Sequence, residues 1–278
     1  FINQEIDSNL FIKKILKKYT KKEKKIIIKD DYRLKFLWEK KIKKKINSKM
    51  AVFDDFDNLN HFADIIINPK TKFFENKKPI NKTTLGKKTI YLLGPKYSLI
   101  KRIKKNTKYK KFTVIINFGG SNKNSLFKKI LSVLSKANKR INYILITSPF
   151  SNFKLKSFNK NNIKIVNNSF DLQNYYSKSH LFLGAAGTSI YEVSAQKIPG
   201  IFFKISNNQD TSSKSLEKMG QYFFLDKKYL SKKYLVKVFE LIEIIKKNYQ
   251  EVKNMTNRSL IKIDDKGALR ISKHILSL

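Results

Sequence analysis

The stretch 181–209, LFLGAAGTSIYEVSAQKIPGIFFKISNNQ, constrains the fold more than any other segment of the chain. An apolar run, Leu181-Phe182-Leu183, meets a turn of small residues, Gly184-Ala185-Ala186-Gly187, and then two hydroxyls, Thr188 and Ser189. A helix is expected over 190–196, with Glu192 in its first turn, and Pro199-Gly200 stops it. A second apolar run, Ile201-Phe202-Phe203, leads into polar Asn207-Asn208-Gln209. Strand, small-residue loop, helix and strand make a βαβ unit, which requires a parallel sheet. A loop without side-chain bulk lets a phosphate reach backbone N–H groups, and a helix N-terminus adds the positive end of its dipole. The carboxylate of Glu192 suits sugar hydroxyls better than phosphate. It also suits the N-terminus of its own helix, and both roles stay open.

The rest of the chain repeats the alternation. Helical spacing over 3–22 precedes a short strand at Ile26-Ile27-Ile28 that ends at Asp30-Asp31-Tyr32. A helix over 33–45 carries Leu34, Leu37, Trp38 and Ile42, and a strand at 50–53 ends in Asp54-Asp55-Phe56-Asp57. A strand at 63–67 is followed by Asn68-Pro69. Polar residues just past the ends of parallel strands face the ligand crevice in such sheets, which marks Asp30, Asp31, Tyr32, Asp54, Asp55 and Asn68. The segment 101–111 is basic, lacks apolar periodicity and reads as a linker. The pattern then restarts: a strand at 112–118, Gly119-Gly120-Ser121, a helix over 124–137, strands at 141–146 and 163–166, and a short helix over 171–177. After the 181–209 stretch come a strand at 220–225 and helices over 230–248 and 265–278, separated by the polar region 255–262. The expected organisation is therefore a partial N-terminal α/β domain at 1–100, a linker at 101–111, and a complete C-terminal α/β domain at 112–278 that includes the last helix. The chain starts at Phe1 in what reads as mid-domain, so the first domain is expected to lack its beginning.

Composition removes other classes. The net charge is +39, but the positive residues are nearly all lysines, spread along the chain with Asn and Ile. Dedicated nucleic-acid readers favour the bidentate fork of arginine, so a nucleic-acid partner is not expected and the lysines reflect genome composition. No cysteine is present, which excludes disulfides and thiolate metal sites and makes cytoplasm the default compartment. No apolar run is long enough to span a bilayer, so membrane insertion is not expected. The three histidines, His61, His180 and His274, lack zinc-site spacing. His61 and His274 show no orienting partner and read as structural. Asp55 and Asp57 form a D-x-D, but carboxylates at strand ends are common and no metal is expected. Asp264-Asp265 reads as a helix cap. Gly119, Gly120 and Ser121, directly after a buried strand, offer a second phosphate loop beside Gly187, Thr188 and Ser189.

These residues resemble a known family. Gly119-Gly120-Ser121, GAAGTSIYEV at 184–193, Pro199 and Asn208-Gln209 resemble the nucleotide-binding domain of MurG-like proteins of the GT-B fold. Asp30-Asp31-Tyr32, Trp38-Glu39, Val52-Phe53-Asp54-Asp55, the 63–68 segment, Leu93-Gly94-Pro95-Lys96-Tyr97 and the ending Asp264-Asp265-Lys266-Gly267-Ala268 with Arg270 look like UDP-2,4-diacetamido-2,4,6-trideoxy-β-L-altropyranose hydrolase of pseudaminic acid biosynthesis. The resemblance covers essentially the whole chain in order. It implies two Rossmann-like domains and hydrolysis of a UDP-sugar to free sugar and UDP, without metal or other cofactor, in a monomer. It assigns Gly119, Gly120, Ser121, Gly187, Thr188, Ser189, Glu192 and Gln209 to UDP. Tyr32 and Asn208 go to the sugar or the attacking water, with Asp31 and Asp55 as further catalytic candidates. Two departures stand out: the family's glycine-rich loop with a histidine is missing, and Asp31 stands where the family commonly has histidine. A MurG-like glycosyltransferase and an inactive nucleotide-sugar-binding remnant are the alternatives.

Overall fold

The structure is a computed structural model, and it describes residues 4–19, 23–55, 60–70, 89–101, 103, 106–119, 124–134, 139–147, 161–167, 172–206, 209 and 212–278. The chain forms two compact units, one of Phe1–Leu99 with Lys266–Leu278 and one of Ile100–Asp265.

The first unit opens with helix α1 (Gln4–Lys18), strand β1 (Lys25–Lys29), helix α2 (Phe36–Ile46) and strand β2 (Ser48–Phe53). Strands β3 (Ile65–Asn68) and β4 (Ile90–Leu93) complete a parallel sheet in the order β1-β2-β3-β4. Alternate residues point to opposite faces of a strand. Met50 and Val52 of β2 and Ile66 of β3 therefore join Trp38, Ile42 and Ile46 of α2 in one core. Ala51, Ile65, Ile67 and Leu92 form the other core with Tyr97, Ile271 and Ile275. The last two belong to helix α9 (Gly267–Leu276), and Arg270 Nη1 donates to the Lys96 carbonyl at 2.9 Å. The final helix thus packs on the first sheet and not on the second, where the sequence pattern puts it. Its Ile271/Ile275 stripe shows that it needs an apolar face to cover, but periodicity does not say which sheet provides one.

The second unit contains β5 (Thr113–Asn117), α3 (Asn124–Leu134), β6 (Asn142–Ile146), β7 (Ile163–Val166), the one-turn α4 (Gln173–Tyr176), β8 (Leu181–Ala185), α5 (Ser189–Ala195) and β9 (Gly200–Phe203). It continues with α6 (Ser213–Lys218), β10 (Phe223–Leu225), α7 (Lys232–Lys247) and α8 (Tyr249–Asn257). The sheet is parallel throughout, in the order β10-β9-β8-β5-β6-β7. All five residues of β5 and all five of β8 are buried, as a sheet covered on both faces demands. Helices α3 and α7 cover one face through Phe127, Ile130, Leu131, Leu235, Val238 and Ile242.

Three local expectations change. The region 255–262 is not merely a polar spacer between helices, because α8 continues to Asn257. The 101–111 segment is tied to the second unit: Asn106 Nδ2 donates to Ser177 Oγ at 2.6 Å, and the Tyr109 N–H to the Lys178 carbonyl at 2.9 Å. The Asp265 carboxylate accepts the Ile103 N–H at 3.0 Å and caps no helix, since α9 has no side-chain cap. Among the described residues, no helix is long and apolar enough to cross a membrane.

Candidate functional site

The strand order of the second unit reverses between β5 and β8. The chain builds β6 and β7 on one side of β5, then returns to add β8, β9 and β10 on the other. Ligands of open parallel sheets bind outside the carboxyl ends of the strands at such a switch point. Asn117, the last residue of β5, pairs with Gly184 of β8 there. A Cβ on Gly184 would lie 1.9 Å from the Asn117 carbonyl oxygen, so only glycine allows the two strands to close. The buried Asn117 side chain donates to the Ile146 carbonyl at 3.0 Å and accepts the Gly119 N–H at 3.1 Å. It pins the turn that follows. Gly119 has φ +83°, a left-handed conformation that L side chains rarely adopt, and among the described residues nothing lies within 4 Å of where its Cβ would sit. Asn117 was missed as a site residue; its signal is a polar residue closing an otherwise apolar strand. Gly120, Ser121 and Asn208 lie outside the described residues, as does Asp57.

Past β8, the Ala186 N–H bonds the Phe203 carbonyl at 2.8 Å, which fixes the loop on β9. The Gly187 and Thr188 carbonyls accept the Ile190 and Tyr191 N–H groups, each at 3.1 Å. Among the described residues, the N–H groups of Gly187, Thr188 and Ser189 have no backbone acceptor. These are the unsatisfied donors of a helix start, although α5, at seven residues, has little dipole to add. Gln209 folds back over them. Its Oε1 accepts the Ile205 N–H at 2.8 Å, and its Nε2 lies 3.6 Å from where a Cβ on Gly187 would sit. Glu192 stands in the first turn of α5, half-buried. Gln173 Nε2 approaches its carboxylate at 3.5 Å, and Gln196 Nε2 holds Gln173 Oε1 at 2.9 Å. Burial pushes the Glu192 carboxyl above its ordinary range, against the opposing pull of Gln173 and Lys101. The Tyr176 ring is fully buried nearby, and burial with the Glu192 charge pushes its phenol well up. The structure thus brings Gly187, Thr188, Ser189, Gln209 and Glu192 together: donors for an anion beside an acceptor for hydroxyls.

In the first unit, Tyr32 Oη donates to Asp55 Oδ2 at 2.5 Å. Burial, this bond and the charges of Asp55, Asp30 and Asp54 push the phenol far above its ordinary range. Burial, Asp55 and Asp31 likewise raise the Asp30 carboxyl. Asp31 differs. Arg33 Nε and Nη2 grip its carboxylate at 3.0 and 2.6 Å, and the Arg33 N–H adds a bond at 2.8 Å. These contacts hold its pKa down at about 2, which makes Asp31 a weak base. The structure brings Tyr32 and Asp55 together and gives Asp31 to Arg33.

Beneath this pair lies a cluster of four buried ionisable side chains that the sequence did not reveal. Glu39 Oε1 meets both Lys29 Nζ and His61 Nδ1, the latter at 2.8 Å, and Glu39 Oε2 accepts the Phe62 N–H at 2.6 Å. His61 Nε2 faces Asp54 Oδ2 at 3.4 Å, and Lys29 Nζ also donates to the Leu34 carbonyl at 2.7 Å. His61 therefore has two orienting carboxylates, contrary to the expectation that it has none. Sequence distance hid them: Glu39 stands on α2, and Asp54 follows β2. Among the described residues, no group of three or more His, Asp or Glu side chains is arranged to hold a metal ion.

Comparison with known proteins places this geometry. The glycosyltransferase family 28 C-terminal domain matches residues 114–268. A curated protein of Methanocaldococcus jannaschii, the uncharacterized protein MJ1062, is 24% identical over 251 residues, covering 81% of this chain and 51% of its own length. The chain thus spans about half of that relative. The spinosyn rhamnosyltransferase SpnG superposes with a TM-score of 0.61 at 9% identity, over 98% of this chain and 78% of SpnG. Anabaena Alr3699/HepE in complex with UDP and glucose gives a TM-score of 0.58 at 10% identity, over 98% and 81%. At such identities the likeness is one of fold: α/β with parallel sheets, resembling the GT-B glycosyltransferases.

Proposed function

We propose, from the premise that this chain belongs to the glycosyltransferase family 28 C-terminal domain family, that it acts on a UDP-linked sugar and breaks the bond between the anomeric carbon and the diphosphate. One observation carries the reading: the small-residue loop lies at the switch point between β5 and β8, with three successive N–H groups that have no backbone acceptor among the described residues and Glu192 in the helix that follows. UDP leaves as an anion, so its departure calls for fixed donors aimed at the diphosphate more than for a proton. Gly119, Gly120, Ser121, Gly187, Thr188, Ser189 and Gln209 are assigned to UDP, with Glu192 accepting from ribose hydroxyls.

The acceptor we assign is water, giving free sugar and UDP, and the resemblance supports a 2,4-diacetamido-2,4,6-trideoxyhexose as the sugar. An attacking water must lose a proton, and the Tyr32–Asp55 pair offers an acceptor. Asn208 is assigned to the sugar side. Asp31 keeps at most a positioning role, because Arg33 occupies it. A cytoplasmic monomer without metal or nucleic acid completes this reading. The second reading, a MurG-like transferase with a larger acceptor, is favoured by the family match itself and by the fold shared with a rhamnosyltransferase.

Product analysis separates them. The protein is incubated with UDP-sugars, UDP is quantified by chromatography and free sugar by NMR. Equal UDP and free sugar without any added acceptor support hydrolysis. UDP formed only when an acceptor is added supports transfer. No UDP under either condition contradicts both.

A further inference from the structure

We infer that Glu39 and His61 are positioning residues for the Tyr32–Asp55 pair, clamping the two strand ends that carry it so that the phenol stays bonded to the carboxylate. Lys29 ends β1, three residues before Tyr32, and Asp54 directly precedes Asp55 beyond β2. Glu39 and His61 join these two points. Glu39 binds Lys29 and His61, and His61 reaches on to Asp54, so one continuous path links the base of one strand end to the base of the other. All four side chains are at most 5% exposed. The Phe62 N–H donating to Glu39 and Lys29 donating to the Leu34 carbonyl pin the adjoining turns as well.

Stability alone does not call for such a cluster. Taking four charges out of water is costly, and well-packed apolar residues at such a joint hold a fold as well or better. A network of charge-assisted bonds does something apolar packing does not: it fixes direction and distance. The Tyr32–Asp55 pair depends directly on the mutual register of these two strand ends.

The network also sets its own charge. Lys29 and a protonated His61 balance Glu39 and Asp54. Burial lowers the imidazole and Lys29 opposes its charge, but the bonds to Asp54 and Glu39 and the Glu39 charge outweigh them and raise it. Burial raises Glu39, but His61 and Lys29 outweigh it and hold the carboxyl down. The charged groups facing His61 are thus Lys29 from β1, Glu39 from α2 and Asp54 from the end of β2, and the two carboxylates favour an imidazolium that bonds Glu39 and faces Asp54.

The inference rests on the reading that the Tyr32–Asp55 pair takes part in the reaction, so its test needs readouts independent of turnover. NMR of the wild-type imidazoles, assigned with His61→Gln, follows His61; ultraviolet titration referenced to Tyr32→Phe follows the Tyr32 phenol. His61 is expected to titrate above the ordinary imidazole range. Glu39→Gln is expected to bring the Tyr32 titration down by about one pH unit or more. It should leave UDP affinity, read by calorimetry, within about twofold. In turnover, Glu39→Gln should lower kcat about 10- to 100-fold with KM nearly constant, the signature of displaced reacting groups. Lys29→Met added to Glu39→Gln should restore part of that loss, and it removes the unpaired cation if the single variant folds poorly. An ordinary His61 titration in the wild type, or a Tyr32 titration unmoved in Glu39→Gln, overturns the positioning role whether or not the chain cleaves a UDP-sugar. A Tyr32 titration that moves as expected in a protein without turnover keeps the positioning role and removes only the reaction reading.

Discussion

The two units both gather polar groups at the carboxyl ends of parallel strands, but they build with different material. In the second, the strand order reverses between β5 and β8, and the donors are main-chain N–H groups freed by a loop of small residues. In the first, the described strands run β1-β2-β3-β4 without reversal, and the polar groups are side chains above a buried charge network. A backbone site is indifferent to most side-chain changes and intolerant of a Cβ where strands close. A charge network is the opposite: it depends on side chains, and neutralising or removing one member strands the others. Under the proposed function, the difference would suit different tasks, holding an anion in one unit and managing protons in the other.

That contrast predicts graded outcomes. The largest is Glu39→Ala, which leaves Lys29 and a protonated His61 buried beside a single carboxylate; it should cost about 3–5 kcal/mol in denaturant unfolding of the first unit. A loss below about 1 kcal/mol would mean that water reaches the cluster and screens it. Next comes Gly184→Ala in the second unit. Its Cβ meets a backbone oxygen that has nowhere to go, so a loss of about 3 kcal/mol is expected, with UDP binding lost alongside. Stability within about 0.5 kcal/mol of wild type would show that β5 and β8 separate easily. Smaller again is Glu192→Ala, expected to weaken UDP binding by about 1–3 kcal/mol while thermal stability holds. If stability falls and binding does not, Glu192 serves only its own helix.

The gentlest test is pH. His61 has a folded-state pKa raised above 6.5, so its contribution is full below 6.5 and is lost as pH rises through the raised value. Glu39 is lowered, so its contribution is present above its ordinary 4.5 and is lost as pH falls through the folded value. The first unit should therefore lose stability on both sides of neutrality. In the second unit, burial lowers Lys108 from 10.5 to about 8 and His180 from 6.5 to about 4. The unfolded chain binds more protons in those windows, so these two groups make stability rise with pH from about 4 to 6.5 and again above about 8. Hydrogen exchange of β2 and β5 amides between pH 7 and 9 would show protection falling in the first and holding or rising in the second. Parallel changes in both would remove the contrast.

What the sequence made legible follows physical range. The runs 112–118 and 181–183 stand out because a sheet covered on both faces writes an unbroken apolar run. The small residues 184–187 stand out because a close approach excludes side chains, but the strand runs on through Gly184 and Ala185, so the turn begins later than the composition puts it. The partners of His61 did not show, since Glu39 lies 22 residues away on a helix and only the fold brings it near. The engagement of Asp31 by Arg33 was local enough to see, two residues apart, but an acid at a strand end is equally compatible with an open base. The docking of α9 escaped for a third reason: an amphipathic stripe specifies a need for cover, not its source.

The central claim is that the switch-point loop of the second unit holds UDP. Calorimetric titration of UDP into the protein tests it directly. The account predicts saturable binding at a single site, retained at physiological salt and weakened in Glu192→Ala. Absence of UDP binding, together with DNA binding that collapses as salt rises, would contradict it and return the +39 charge to the centre of the protein's function.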